Sequence, residues 1–173
     1  LLLIEPPSRP DADFDYRIFN SNGSEVEHCG NGARCFAKFV TDRELTTKHF
    51  ITVNTSRGLI ELTLTETGLI RVNMGQPALD PKTLPYQGPP EPDQIHTVVL
   101  ETPDGSRSFG LISMGNPHAV TVVDSVDATA VADIGQAIQN LPQFPESVNV
   151  GFMEIISSKE IRLRVLERGV GET

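Results

Sequence analysis

Between residues 13 and 19, Phe14, Tyr16 and Ile18 alternate with Asp15 and Arg17, the period of two that lets one face of a strand meet a core while the other meets water. Asn22-Gly23 then supplies a turn. Beyond Cys29-Gly30-Asn31-Gly32 the period changes. Ala33, Phe36, Ala37 and Val40 recur at helical spacing, so a helix is expected to begin inside that glycine-rich step. Strands return over residues 49–54, 59–65 and 69–74, separated by the turn-forming triplets Ser56-Arg57-Gly58 and Glu66-Thr67-Gly68. Residues 1–4 are apolar throughout and read as a buried strand.

Six prolines, at 77, 81, 85, 89, 90 and 92, leave no room for a strand ladder or a helix interior. A linker over 76–92 is therefore expected between a first lobe, 1–75, and a second, 93–173. The second half repeats the grammar of the first, with strands over residues 95–101, 108–114, 119–123, 148–157 and 161–166. Residues 127–140 read as a helix capped by Asp127, with Val131, Ile134 and Ile138 on one face. The chain stops at Gly171-Glu172-Thr173 with no closing element in view and begins without Met, and a fragment is the expected explanation.

Composition narrows the class. At 173 residues the chain can bury a real core, and no apolar run is long enough to cross a bilayer. The first residues carry neither a basic region nor a small-residue cleavage site, so the expected location is cytoplasmic. Net charge of −9 and the lack of a Lys/Arg cluster argue against nucleic acid as a partner. Two cysteines are too few for a disulfide-stapled fold.

Cys29 is the leading candidate for chemistry. It stands where a strand passes into a helix, and unpaired N–H groups and partial positive charge at a helix start favour thiolate over thiol. The same amides can hold a carboxylate, which glycines allow to approach closely. The competing reading makes Cys29 a small buried hydrophobe, and spacing alone leaves the two level. Zinc is rejected, because Cys29 and Cys35 are not followed by a second Cys or His pair at ligand spacing. Cys35, set among apolar neighbours, reads as core filler. His28 adjoins Cys29 but should point to the opposite face of an extended strand. Asn20, Asn116, His118, Asn149, Glu167 and Arg168 stand at strand ends, where sites are assembled, although each taken singly reads as a turn or capping residue.

Taken together, Tyr16-Arg17-Ile18-Phe19-Asn20, Gly23-Ser24-Glu25 and Cys29-Gly30-Asn31-Gly32-Ala33-Arg34-Cys35 resemble the diaminopimelate epimerase family. The resemblance continues through Met114-Gly115-Asn116-Pro117-His118, residues 148–153 and residues 167–173. It implies an α/β (α+β) fold of two similar lobes, each a curved, mostly antiparallel sheet wrapped around a central helix, both incomplete in this chain, with the active site between them. It also implies catalysis without cofactor or metal. One cysteine thiolate removes the substrate's α-proton and a second cysteine delivers a proton to the opposite face. Cys29 matches one of the pair, and the Gly30 and Asn31 amides match those receiving the reacting carboxylate. Glu167 and His118 match residues that bind the reacting amino group and assist proton transfer. Asn20, Asn116, Asn149 and Arg168 match those gripping the distal amino-acid head, where an arginine fork suits a carboxylate. The partner implied is the small molecule diaminopimelate, with neither nucleic acid nor membrane involved and a homodimer left open.

The family's second cysteine would lie a few residues past Thr173, so the 173-residue chain alone is expected to lack epimerase activity. Two other readings compete. A proline racemase or hydroxyproline epimerase shares the two-cysteine logic, but its substrate has no second head for Asn116, Asn149 and Arg168 to hold. A non-catalytic amino-acid-binding module would keep the anion cradle alone.

Overall fold

A computed structural model of the chain describes residues 1–19, 23, 25, 26, 29–80, 84–88 and 97–173. Asn20, Asn22 and His28 lie outside the described residues, as do four of the six prolines. The chain divides into two units, Leu1–Gln76 and Pro77–Thr173.

The first unit is a sheet of β1 (Leu2–Glu5), β2 (Phe14–Phe19), β3 (Glu25–Val26), β4 (Phe50–Thr55), β5 (Gly58–Leu64) and β6 (Ile70–Asn73), with the helix α1 (Gly30–Asp42). Its order is β1-β2-β4-β5-β6, with β3 on β2. β2 and β4 run parallel, Phe14 opposite Val53. A parallel pair cannot close through a tight turn, and α1 lies in the crossover. The alternation read from β2 has its physical outcome here. Tyr16 is buried with Ala33, Phe36, Ala37 and Val40 of α1 and Ile51, Val53, Ile60 and Leu62 of the sheet.

Two expectations for this unit are corrected. Cys35 is exposed, not core filler. At roughly 100° per residue it falls on the side of α1 away from positions 33, 36, 37 and 40. The opening strand is not buried either, with Leu1, Leu2 and Leu3 84%, 36% and 37% exposed. Among the described residues β1 stands at the edge of the sheet and pairs with β2 alone.

The second unit is a sheet of β7 (Thr97–Thr102), β8 (Gly105–Ser113), β9 (Pro117–Val122), β10 (Asn149–Ser157), β11 (Glu160–Glu167) and β12 (Gly171–Glu172), with the helix α2 (Val131–Gln139). The order is β12-β11-β10-β9-β8-β7. β9 and β10 are the parallel pair, with α2 in their crossover. Val131, Ile134 and Ile138 pack into a core with Phe109, Leu111, Val150 and Phe152. One helix over each of two mixed, mainly antiparallel sheets gives the α+β architecture that the resemblance implied.

α2 begins four residues later than the sequence suggests. Its cap is Ala130, with no side-chain cap bond, because the Asp127 carboxylate is taken by a fork from Arg162 at 2.8 and 3.0 Å. The described part of the proline-rich segment packs on the second unit and does not run free. Ala78 exchanges two backbone hydrogen bonds with Ser113, Leu84 enters the core, and the Tyr86 ring lies 5.3 Å from that of Phe144.

An internal repeat links the units. Arg17 forks onto Glu25 through Nε and Nη2, and Arg164 forks onto Glu172 through the same two atoms, the partners eight residues apart in both cases. Glu25 faces Phe19 across the ladder and Glu172 faces Leu166, so each arginine reaches diagonally to the same relative position. Such exposed pairs contribute little stability, about 0–1 kcal/mol, and their use is to mark equivalent positions. Leu163 thereby stands where Tyr16 stands. Unlike Tyr16, Leu163 is half exposed, and it shares an uncovered apolar face with Val122, Ile155 and Ile161.

Candidate functional site

In the first unit Cys29 is the N-cap of α1. Its backbone is extended, with φ −149° and ψ 106°, and its Sγ accepts the Gly32 amide at 3.3 Å. The Cys29 carbonyl accepts from Ala33 at 2.9 Å. Helix geometry leaves the first-turn amides without intrahelical acceptors, and among the described residues those of Gly30 and Asn31 have none. The Asn31 side chain is occupied, its Oδ1 accepting from Arg34. Cys29 itself is half-buried. Sulfur and two amides thus sit together at one positive helix end, an arrangement suited to a nucleophile or base beside a bound anion.

Gly32 is where this geometry is tightest. A Cβ there would lie 2.5 Å from Tyr16 Oη, 3.0 Å from Ile18 Cδ1 and 3.5 Å from Cys29 Sγ. Real Cβ atoms do not come within 2.5 Å of a buried ring oxygen, so the close approach of β2 to the start of α1 requires glycine. Sequence reasoning took Gly32 as part of the glycine-rich step where a helix starts and an anion can approach, and read Tyr16 only as the buried face of a strand. The signal that could have found Tyr16 is its hydroxyl, since a tyrosine on a buried strand face needs a partner for it.

The second unit gathers the other candidates at one end of its sheet. Asn149 opens β10 directly opposite His118 near the start of β9. Val150 pairs with Leu166, which brings the end of β11, Glu167, to the same end. Asn149 is 3% exposed and its Oδ1 accepts the Arg168 backbone amide at 3.0 Å. Arg168 Nη1 donates to the Glu146 carbonyl at 2.9 Å. Thr173 Oγ1 donates to Glu167 Oε1 at 2.8 Å. His118 Nε2 lies 2.9 Å from Asn116 Oδ1, the pairing made when Nε2 carries the proton. Asn116, His118, Asn149, Glu167 and Arg168 therefore form one cluster. Asn20 lies outside the described residues.

Burial pushes the His118 pKa below its ordinary 6.5. The Glu167 carboxylate opposes that shift and Arg168 adds to it. The neutral ring is favoured in the folded chain, so the unfolded chain binds the extra proton in the window between the lowered folded value and 6.5. Stability from this residue is full above 6.5, falls as the pH drops through that window, and levels off below it. Thermal melts between about pH 8 and 5 should show a decline in Tm that is shallower in a His118→Gln variant. Parallel Tm–pH curves for the two proteins would contradict this assignment.

A sequence profile described as diaminopimelate epimerase matches residues 1–79 and 110–173. A diaminopimelate epimerase of Acinetobacter baumannii is 51% identical over the whole of this chain, which spans 61% of that relative. One from Chromobacterium violaceum is 54% identical, with 62% of its length spanned. The chain therefore spans about three-fifths of the curated relatives it matches. Among solved structures, a probable proline racemase of Agrobacterium radiobacter aligns with a TM-score of 0.69 at 18% identity, over 99% of this chain and 54% of that one. A hydroxyproline epimerase of Agrobacterium vitis aligns with a TM-score of 0.67 at 15% identity, over the same shares. At such identities the likeness is one of fold alone, whereas the profile and the close relatives place this chain in the diaminopimelate epimerase family.

Proposed function

We propose that the parent protein of this chain interconverts LL- and meso-diaminopimelate, an isomerisation at one α-carbon that serves lysine and peptidoglycan-precursor synthesis in the cytoplasm. The observation that carries the reading is Cys29 as helix cap, its sulfur held by the Gly32 amide beside the amides of Gly30 and Asn31, which no acceptor among the described residues claims.

In this reading Cys29 thiolate removes the α-proton while the substrate's reacting carboxylate rests on the Gly30 and Asn31 amides. Negative charge developing on that carboxylate as the C–H bond breaks is met by fixed dipoles, which is how a weakly acidic proton becomes removable. Glu167 and neutral His118 bind the amino group and assist the transfer. Asn20, Asn116, Asn149 and Arg168 hold the distal head. A substrate lacking that head would leave buried polar groups unpaired, which penalises it strongly. That penalty favours diaminopimelate over the proline substrates of the structural neighbours.

Inversion needs a second proton donor on the other face. The internal repeat supports one, because Glu25 precedes Cys29 by four positions and Glu172 is its counterpart. A cysteine is expected four positions beyond Glu172, at the cap of a helix covering Leu163 as α1 covers Tyr16.

The test is the parent protein incubated with LL-diaminopimelate in deuterium oxide. Deuterium should enter the α-position as the meso isomer forms, and L-proline should be left unchanged. Absence of both exchange and meso product would overturn the reading, and turnover of proline in place of diaminopimelate would transfer it to the rival substrate class.

A further inference from the structure

Tyr16 is 4% exposed, and its hydroxyl is one of two buried side-chain polar atoms with no hydrogen-bond partner among the described residues. Burying a hydroxyl without a partner is unfavourable, and native folds seldom keep one without a use. Its position is specific. The alternation of β2 turns Tyr16 toward α1, and the Phe36 ring, 5.2 Å away, holds the phenol in place. The oxygen borders the space left by the missing side chain of Gly32, and Cys29 Sγ borders the same space.

We propose that Tyr16 is a positioning residue for Cys29, its hydroxyl donating a hydrogen bond across the Gly32 space to the sulfur in its thiolate form, as a second donor beside the Gly32 amide. This rests on the reading of Cys29 as the base. A neutral thiol is a weak acceptor and a thiolate a strong one, so ionisation of the sulfur supplies the pull that brings it into a bond with a hydroxyl not otherwise bonded among the described residues. Both donors then favour the charged form and fix the direction of the sulfur lone pairs.

Tyr16 can only donate. Burial raises its pKa above the ordinary value for a phenol, and the neighbouring charges of Cys29 and Cys35 raise it further. Those two thiols are the titratable groups that act on the phenol among the described residues, and Cys35 is exposed on the outer side of α1. The hydroxyl therefore stays protonated well above neutral pH.

The experiment follows alkylation of the Cys29 peptide by iodoacetamide against pH, by mass spectrometry, in the parent protein. In Tyr16→Phe the pH of half-maximal alkylation should rise, and alkylation near neutral pH should slow by about tenfold, the equivalent of one pH unit. Replacing Tyr16 with 3-fluorotyrosine, a more acidic phenol and stronger donor, should move the midpoint down. Epimerase kcat should fall in Tyr16→Phe with KM little changed. Tyr16→Phe should melt no earlier than the original, since an unsatisfied hydroxyl is removed, so a purely structural role would leave the alkylation profile in place. An unchanged midpoint in both variants, or a fall in Tyr16→Phe, overturns the proposal. Failure of the base reading is distinct, because it would show as a Cys29→Ser protein that keeps full epimerase activity.

Discussion

Replacing Cys29 with serine in the parent protein should slow α-proton exchange from diaminopimelate by between about 10²- and 10⁴-fold, the range over which a positioned acid–base group contributes. The substitution isolates chemistry from folding. Cys29 caps α1 through its side chain, and serine is among the best N-cap residues, so the helix start is kept or improved. What serine cannot supply is a thiol, which gives up its proton far more readily than a hydroxyl does. Unfolding by denaturant should therefore be unchanged while exchange is nearly lost. Equal exchange rates for the two proteins would remove Cys29 from the mechanism.

The largest effect on stability is expected from Phe36→Ala. Phe36 is fully buried, its ring 5.6 Å from that of Phe14 in a T-shaped contact and 5.2 Å from that of Tyr16. Losing a buried phenyl costs about 3–5 kcal/mol in transfer and cavity terms, set against a net stability of roughly 5–15 kcal/mol for a whole domain. The first unit would be close to unfolding at ambient temperature. Because Phe36 also braces Tyr16, the start of α1 should loosen before the sheet does, and its amides should exchange with solvent sooner than those of the sheet. Phe36→Leu should recover most of the loss. A cost below about 1 kcal/mol for Phe36→Ala would mean that the helix is not seated as described.

The strands and α1 were legible because period follows burial. Phe14, Tyr16 and Ile18 alternate in the sequence since one face of β2 meets α1, and the four buried positions of α1 are those the spacing selects. What escaped reading depends on distant partners. Asp127 has the chemistry of a cap, and only the fold brings it Arg162. Residues 1–4 are apolar enough for an interior strand, yet sheet order makes β1 an edge. β3 and β12 are two residues each, too short to carry a period. Cys29 could be placed at a helix start from Gly30 and Gly32, whereas the vacancy that Gly32 leaves for Tyr16 is a matter of ångströms between elements. Similarly, Asn116, His118, Asn149, Glu167 and Arg168 are scattered along the chain and meet only through pairing across β9, β10 and β11. Their roles were legible only through the family resemblance.

That pairing also sets which length changes relatives can tolerate. Asn149 is tied to His118 by strand register, while the connections on either side of α2 are anchored in the core by Val123, Val126, Phe144 and Val148 and are open to solvent only between those anchors, at positions such as Ala128 and Pro142. Insertions there would cost only the slow logarithmic penalty of a longer loop. A single-residue deletion inside β10 would instead turn every following side chain of that strand to the other face, upsetting the register with β11 that brings Glu167 and Arg168 to Asn149 while leaving the composition of the cluster intact.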